Sequence, residues 1–263
     1  MNLLLAMGLA ADGMVLDIFK NCFSFVNHVV YVMSNALFSF FHPLLALLFP
    51  PCCLACDEPL CYGEKTLCTF CFSSLPQGLT PWDARYGISA RLWGGMHLVQ
   101  ATALFPFQKG SPVQRLIYKI KYKNQYRAAA HIGAYYGNLL KATMPQPVDG
   151  IIPVPLHSAR MRKRGYNQSE WLAKGISKAT GWPCYQDWLV RKVNTSTQTN
   201  KTRLERSQNV SNAFQLASAV DPVGKHLLLV DDLVTTGATL KACAHAFGAY
   251  HTRISVAVLG MAT

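Results

Sequence analysis

Two stretches of the chain hold residue types whose spacing suits chemistry. The first is "LLLVDDLVTTGATL", residues 227–240. Residues 227–230 form a short apolar run of the kind that makes a fully buried strand. From Leu240 onward the apolar positions Leu240, Cys243, Ala244 and Phe247 follow a helical period. The acids and hydroxyls between them are therefore expected in a strand-to-helix turn, at the sheet edge where open α/β folds bind ligands. Capping a helix needs one Asp or one Thr. Two adjacent acids, three threonines and a glycine exceed that need. Carboxylates suit sugar hydroxyls, and Thr/Gly backbone amides at a helix start suit a phosphate.

The second stretch is "CCLACDEPLCYGEKTLCTFC", residues 52–71, which packs six of the nine cysteines into twenty positions. Cys53 and Cys56 form one C-x-x-C hook and Cys68 and Cys71 a second, with eleven residues between them. Two such hooks present four thiolates, the donor set of a tetrahedral structural zinc site. A disulfide cluster is the competing reading, and it suits a secreted chain, for which this sequence lacks a convincing export signal. Cys52 stands close enough to replace Cys53, and Cys61 is left over. Cys22, Cys184 and Cys243 read as small core residues.

A cationic counterpart lies in "VDGIIPVPLHSARMRKRGYNQSEWLAKGI". Residues 148–154 read as a strand ended by Pro-x-Pro, and a helix resumes near Gln168. Arg160, Arg162, Lys163 and Arg164 fill the turn between them, where they suit a pyrophosphate. A basic turn and an acidic-hydroxylic turn at one sheet edge make a bipartite site. The polar stretch "RKVNTSTQTNKTRLERSQNVSNAF" then reads as a long loop, a candidate lid that offers Arg203 and Arg206 to an anion.

The elements that must position these residues follow from the composition. The chain has 263 residues, 51% of them hydrophobic, enough for one α/β domain and a smaller module, with no internal repeat and no disordered composition. The net charge is +12, and residues 109–206 hold 18 Lys and Arg against 4 Asp and Glu. A field of that kind favours a polyanion, either nucleic acid or a phosphorylated small molecule. Residues 112–140 carry a helical apolar pattern. Its other face interleaves Arg115, Lys119, Lys121, Lys123 and Arg127 with Tyr118, Tyr122 and Tyr126, as a single strand of nucleic acid would require. The plainer expectation is a solvated basic face.

The first fifty residues are apolar, and no Asp, Glu, Lys or Arg occurs between positions 21 and 56. The run is long enough to span a bilayer. Asn35, His42 and Pro43 interrupt it, and no Lys/Arg cluster fixes an orientation. The expectation is no integral span, with residues 1–44 an extension preceding the domains and translation starting at Met33. The protein is then cytoplasmic, or peripheral at a membrane surface. Residues 45–80 are expected to form the zinc module and residues 81–263 the larger domain.

"LLLVDDLVTTGATL" resembles the ribose-phosphate signature of type I phosphoribosyltransferases, and no nucleotide P-loop motif occurs in the chain. Together with the paired cysteine hooks, "PVPLHSARMRKRGYNQ" and "RLERSQNVSNAF", it closely resembles the ComF family of competence-associated proteins, over about residues 45–263. The resemblance implies a zinc module joined to a type I phosphoribosyltransferase-like parallel sheet flanked by helices, recognising 5-phosphoribosyl-1-pyrophosphate (PRPP). It implies that Asp231 and Asp232 contact ribose hydroxyls and that Thr235, Thr236, Gly237, Ala238 and Thr239 cradle the 5-phosphate. Arg160, Arg162, Lys163 and Arg164 fall in its pyrophosphate loop. It further implies Mg²⁺ bound with PRPP, a role with single-stranded DNA in natural transformation, and other competence proteins as partners. The alternative is an active phosphoribosyltransferase of nucleobase salvage. The 6-oxopurine enzymes place an acidic base where this chain has Thr235, and a threonine is no general base at neutral pH unaided.

Overall fold

The computed structural model describes residues 50–75, 98–144, 146–191, 213–218 and 220–262. Apart from Pro50 and Pro51, these belong to one compact unit, Cys52–Thr263. The expected N-terminal extension and the candidate lid residues Arg203 and Arg206 lie outside the described residues.

A four-stranded parallel sheet forms the centre, in the order β1 (Leu98–Phe107), β6 (Arg253–Ala262), β5 (His226–Val234), β2 (Gly150–Pro153). Both faces are covered, which explains why the strands read as continuous apolar runs rather than alternating ones. Side chains alternate across a strand, so β5 feeds two cores. Leu228 and Val230 join the core beneath the helices α2 (Pro112–Tyr122), α3 (Tyr126–Thr143) and α5 (Gln168–Thr180). Leu227 and Leu229 join Leu240, Cys243 and Phe247, contributed by α6 (Ala238–His245) and the turn after it. A parallel sheet flanked by helices, as expected, is the architecture.

Local sequence sets the helix ends. Ser111 Oγ accepts from Gln114 N–H at 3.2 Å, and Pro112 opens α2. Asn167 Oδ1 accepts from Ser169 N–H at 3.1 Å at the start of α5. Gly165 and Gly181, with φ of 76° and 81°, close α4 (Ser158–Arg164) and α5 in the left-handed conformation.

Three expectations need correction. The pattern over residues 112–140 is two helices, not one: Asn124 takes φ 55° between α2 and α3, and the polar Lys123-Asn124-Gln125 turns the chain. The acids sit within β5, not after it, because Leu233 and Val234 continue the strand and pair with Gly260 and Met261 of β6. The basic turn is itself a short helix, α4.

The long polar loop is closed at its base, where β3 (Leu189–Arg191) pairs antiparallel with β4 (Phe214–Leu216). The cysteine module contributes Leu54 and Leu75 to the core beneath α2 and α3, next to its own helix α1 (Thr69–Ser74).

Candidate functional site

Asp231 and Asp232 project to opposite faces at the end of β5. Asp232 shares the face of Val230, and Lys121 Nζ of α2 lies 2.9 Å from its Oδ1. Its other oxygen, Oδ2, is buried and has no hydrogen-bond partner among the described residues. Asp231 Oδ1 accepts from the Ser169 hydroxyl at 2.9 Å and from the Asp232 N–H at 2.8 Å. Burial is the largest influence on Asp231 and the adjacent Asp232 charge the next, and together they push its pKa up to about 7.

Beyond the acids, Thr235 to Thr239 wrap a small pocket of about 40 Å³, with Asp231 in its wall. Gly237 adopts φ 77° and precedes α6, whose start has no side-chain cap. The residues at the start of α6 line the pocket, and the Thr236 hydroxyl lies 3.4 Å from Ala238 N. Unfilled amides at a helix start favour an anion.

The cationic residues divide. Arg160, Arg162 and Lys163 are exposed on α4. Arg164 is committed: its guanidinium donates to Gln168 Oε1 at 2.9 Å and to the Tyr122 hydroxyl at 3.1 Å, and lies 4.8 Å from the Tyr122 ring centre. Two basic residues that the sequence did not single out for this site also belong to it. One is Lys121, assigned from sequence to a solvated or DNA-binding face. The other is Arg191 at the end of β3, half-buried, with its pKa lowered by burial and by Arg160 and raised by Cys243 and Asp231. Arg191 lines a cavity with His157, Ser158 and Met161 at the basic helix, and its guanidinium lies 5.2 Å from the Phe214 ring centre. Its only signal in sequence was its place at the head of the polar loop.

Three of the five cations expected on the basic face have protein partners, while Lys123 and Arg127 are exposed. Lys119 pairs with Asp57, Arg115 Nε donates to the Ala55 carbonyl at 2.6 Å, and Lys121 is held by Asp232.

The four cysteines expected as ligands, Cys53, Cys56, Cys68 and Cys71, come together, with their sulfurs all within 4.8 Å of one another. Cys56 Sγ and Cys68 Sγ stand 3.8 Å apart. Tetrahedral bonds of about 2.3 Å to zinc put sulfurs about 3.8 Å apart, so the donor set fits such a metal. Backbone N–H groups of Ala55 and Cys68 already point at Cys53 Sγ, at 3.5 and 3.3 Å. Burial pushes the Cys53 thiol up, but those amides and that of Cys56 outweigh it and bring it down to about 7. Cys52 and Cys61 are exposed and outside the cluster, and no described cysteine is in a disulfide.

With this geometry, comparison with known proteins is informative. The chain is 34% identical over 134 residues to competence protein F of Haemophilus influenzae, a match covering 49% of this chain and 58% of that protein's length. It is 30% identical over 208 residues to DNA utilization protein YhgH of Salmonella typhi, covering 74% of this chain and 89% of that protein. The chain belongs to the ComF family. Among solved structures, the chain is similar to an adenine phosphoribosyltransferase with a TM-score of 0.35 and 13% identity, over 56% of this chain and 75% of that one. No protein-family model matches the chain. No helix among the described residues is long and apolar enough to cross a membrane.

Proposed function

We propose that this ComF-family protein binds PRPP with Mg²⁺ at the end of β5 and acts in handling single-stranded DNA during its uptake, with zinc in the cysteine module. The observation that carries the PRPP reading is Asp232 Oδ2, a buried carboxylate oxygen with no donor among the described residues, next in sequence to the Asp231 that stands in the wall of the pocket before α6. Leaving a buried charged acceptor unpaired costs about 1–3 kcal/mol or more, which a ligand hydroxyl relieves. This reading puts ribose hydroxyls at Asp231 and Asp232, the 5-phosphate at Thr235–Thr239 and the pyrophosphate toward Arg160, Arg162 and Lys163. Mg²⁺ is held mainly by the ligand's oxygens and water.

The relatives' names, a competence protein and a DNA utilization protein, support the DNA context for this chain. The charge surplus in residues 109–206 supports it as well. Other competence proteins are then the expected partners.

Isothermal calorimetry with PRPP and Mg²⁺ tests the ligand. Asp231→Asn with Asp232→Asn should abolish binding while the circular dichroism spectrum stays unchanged. Unaltered affinity in that double variant would remove the ribose-contact role.

A further inference from the structure

We propose that ligand binding at the acidic end of β5 and metal binding by the four cysteines are coupled through α2, with Lys121 as the positioning residue that carries the coupling. The proposal rests on the PRPP reading above and adds a regulator to that site.

One helix touches both sites. Arg115 in its first turn donates to the Ala55 carbonyl, and Lys119 further along pairs with Asp57, the two residues that flank Cys56. In its last turn, Lys121 reaches Asp232. Arg115 and Lys121 are separated by about 9 Å along a helix rising about 1.5 Å per residue. The lever is stiff, because Val113, Leu116, Ile117 and Ile120 are all at most 2% exposed in the core. Its far end is gripped as well: the Tyr166 hydroxyl donates to the Ile120 carbonyl, and Arg164 holds Tyr122. Lys121 is thus aimed from two sides, by the cysteine module and by the basic turn.

The chemistry makes that aim consequential. Asp231 and Asp232 are adjacent carboxylates at a partly desolvated site, and Lys121 is the one described cation in salt-bridge contact with either. Carboxylates accept sugar hydroxyls best when ionised, and a buried pair of like charges resists ionisation without a nearby cation. A metal in the cysteine cluster fixes the Cys53–Cys56 hook and with it the Ala55 carbonyl and Asp57. Metal loss frees the hook and releases the two anchors, so the rigid helix shifts as a body and carries Lys121 off its aim. Coupling free energies are reciprocal, so the ligand must hold the metal by the same factor that the metal holds the ligand.

The test uses the full zinc-loaded chain. Zinc release to a colorimetric chelator is timed with and without PRPP and Mg²⁺, and PRPP affinity is measured before and after zinc removal, with folding checked by circular dichroism. The Asp231→Asn, Asp232→Asn chain controls for zinc captured by PRPP itself. We expect zinc loading to raise PRPP affinity at least about 5-fold, the lower end of typical couplings, and saturating ligand to slow zinc release. Lys121→Met should release zinc at the ligand-free rate whether or not PRPP is present, and Lys121→Arg should restore the protection. Arg115→Met with Lys119→Met, which cuts the link but leaves both donor sets whole, should bind zinc and PRPP without mutual effect. Equal PRPP affinity with and without zinc, or undiminished protection in the Arg115/Lys119 variant, overturns the coupling and leaves the PRPP reading standing. No PRPP binding by the zinc-loaded wild type overturns both.

Discussion

The Ser169 hydroxyl, in the first turn of α5, donates to Asp231 Oδ1 at the end of β5 across 2.9 Å. This bond favours the ionised carboxyl, against the burial and the Asp232 charge that push Asp231 up to about 7. If ribose hydroxyls are accepted by the carboxylate, PRPP affinity should fall as pH drops through about 7. Ser169→Ala should move that midpoint upward, and Asp231→Asn should erase it. Calorimetric titrations from pH 6 to 8.5, corrected for the ligand's own ionisation, provide the check. An unshifted midpoint in Ser169→Ala would detach Asp231 from the pH response.

The same shift has a consequence for stability. A free Asp titrates near about 3.9, and folding raises Asp231 to about 7. The folded protein therefore binds this proton more tightly than the unfolded chain does. The stability it contributes is full below about pH 4 and is lost as pH rises through about 7. Asp231→Asn should flatten the fall in denaturation midpoint over that window, measured by urea unfolding in zinc-loaded protein. A slope equal to wild type would show that Asp231 already titrates normally.

The cysteine module should hold one zinc per chain and contribute to folding, since Leu54 and Leu75 of the module lie at most 7% exposed in the shared core. Metal analysis of Cys68→Ser with Cys71→Ser should find the zinc lost, with a lower melting temperature. Full zinc retention would mean that the four-sulfur cluster is not the site.

What the sequence disclosed was what is local. The C-x-x-C hooks carry their donor set in their spacing, and Pro-x-Pro and the restart near Gln168 marked a strand end and the next helix. The acids were recognisable, but their place within β5 was not. Adjacent carboxylates look like a turn unless one knows that Leu233 and Val234 find strand partners in β6. Lys121 was illegible for a similar reason: nothing in a basic helix tells which cation will meet Asp232 from a distant part of the chain. Arg191 was hidden by its position, at the end of a three-residue strand that exists only because β4 pairs with it.

The glycines of α3 and α5 were also silent in sequence, and they give a separate prediction. A Cβ on Gly175 would stand 2.1 Å from the Ala130 carbonyl oxygen, and one on Gly133 would stand 2.3 Å from that of Leu172. The two helix backbones thus touch, and backbone cannot move aside as a side chain can. Gly175→Ala should cost about 1–3 kcal/mol, as overpacking does. Because α5 also carries Ser169, PRPP affinity should fall in the surviving folded fraction. Urea unfolding and calorimetry on the same variant separate the two effects, and a wild-type unfolding midpoint would disprove the close crossing.

The last prediction concerns single-stranded DNA, and the partners of Lys119 and Lys121 direct it to the tyrosines of α2. Lys119 and Lys121 have carboxylate partners in Asp57 and Asp232, which compete with a phosphate for them. The same helix leaves Tyr118 and Tyr122 about half exposed, at 52% and 50%, with ring centres 5.0 Å apart. The Arg164 guanidinium lies over the second ring, and exposed Arg162 and Lys163 follow on α4. Two rings and a guanidinium in succession make a stacking platform with cations alongside, which suits unpaired bases of any sequence. Tyr118→Ala with Tyr122→Ala should weaken binding to an unstructured oligonucleotide by about 1–3 kcal/mol per lost stack. The salt dependence should survive, because no phosphate contact is removed. Arg162→Ala with Lys163→Ala should do the reverse, lowering the slope of log affinity against log salt by about 1.4 if each releases one counterion. Lys119→Ala should leave both quantities near wild type. Fluorescence anisotropy across a salt series reads all three variants. A DNA affinity that depends on Lys119 and ignores both tyrosines would place the strand elsewhere on the protein.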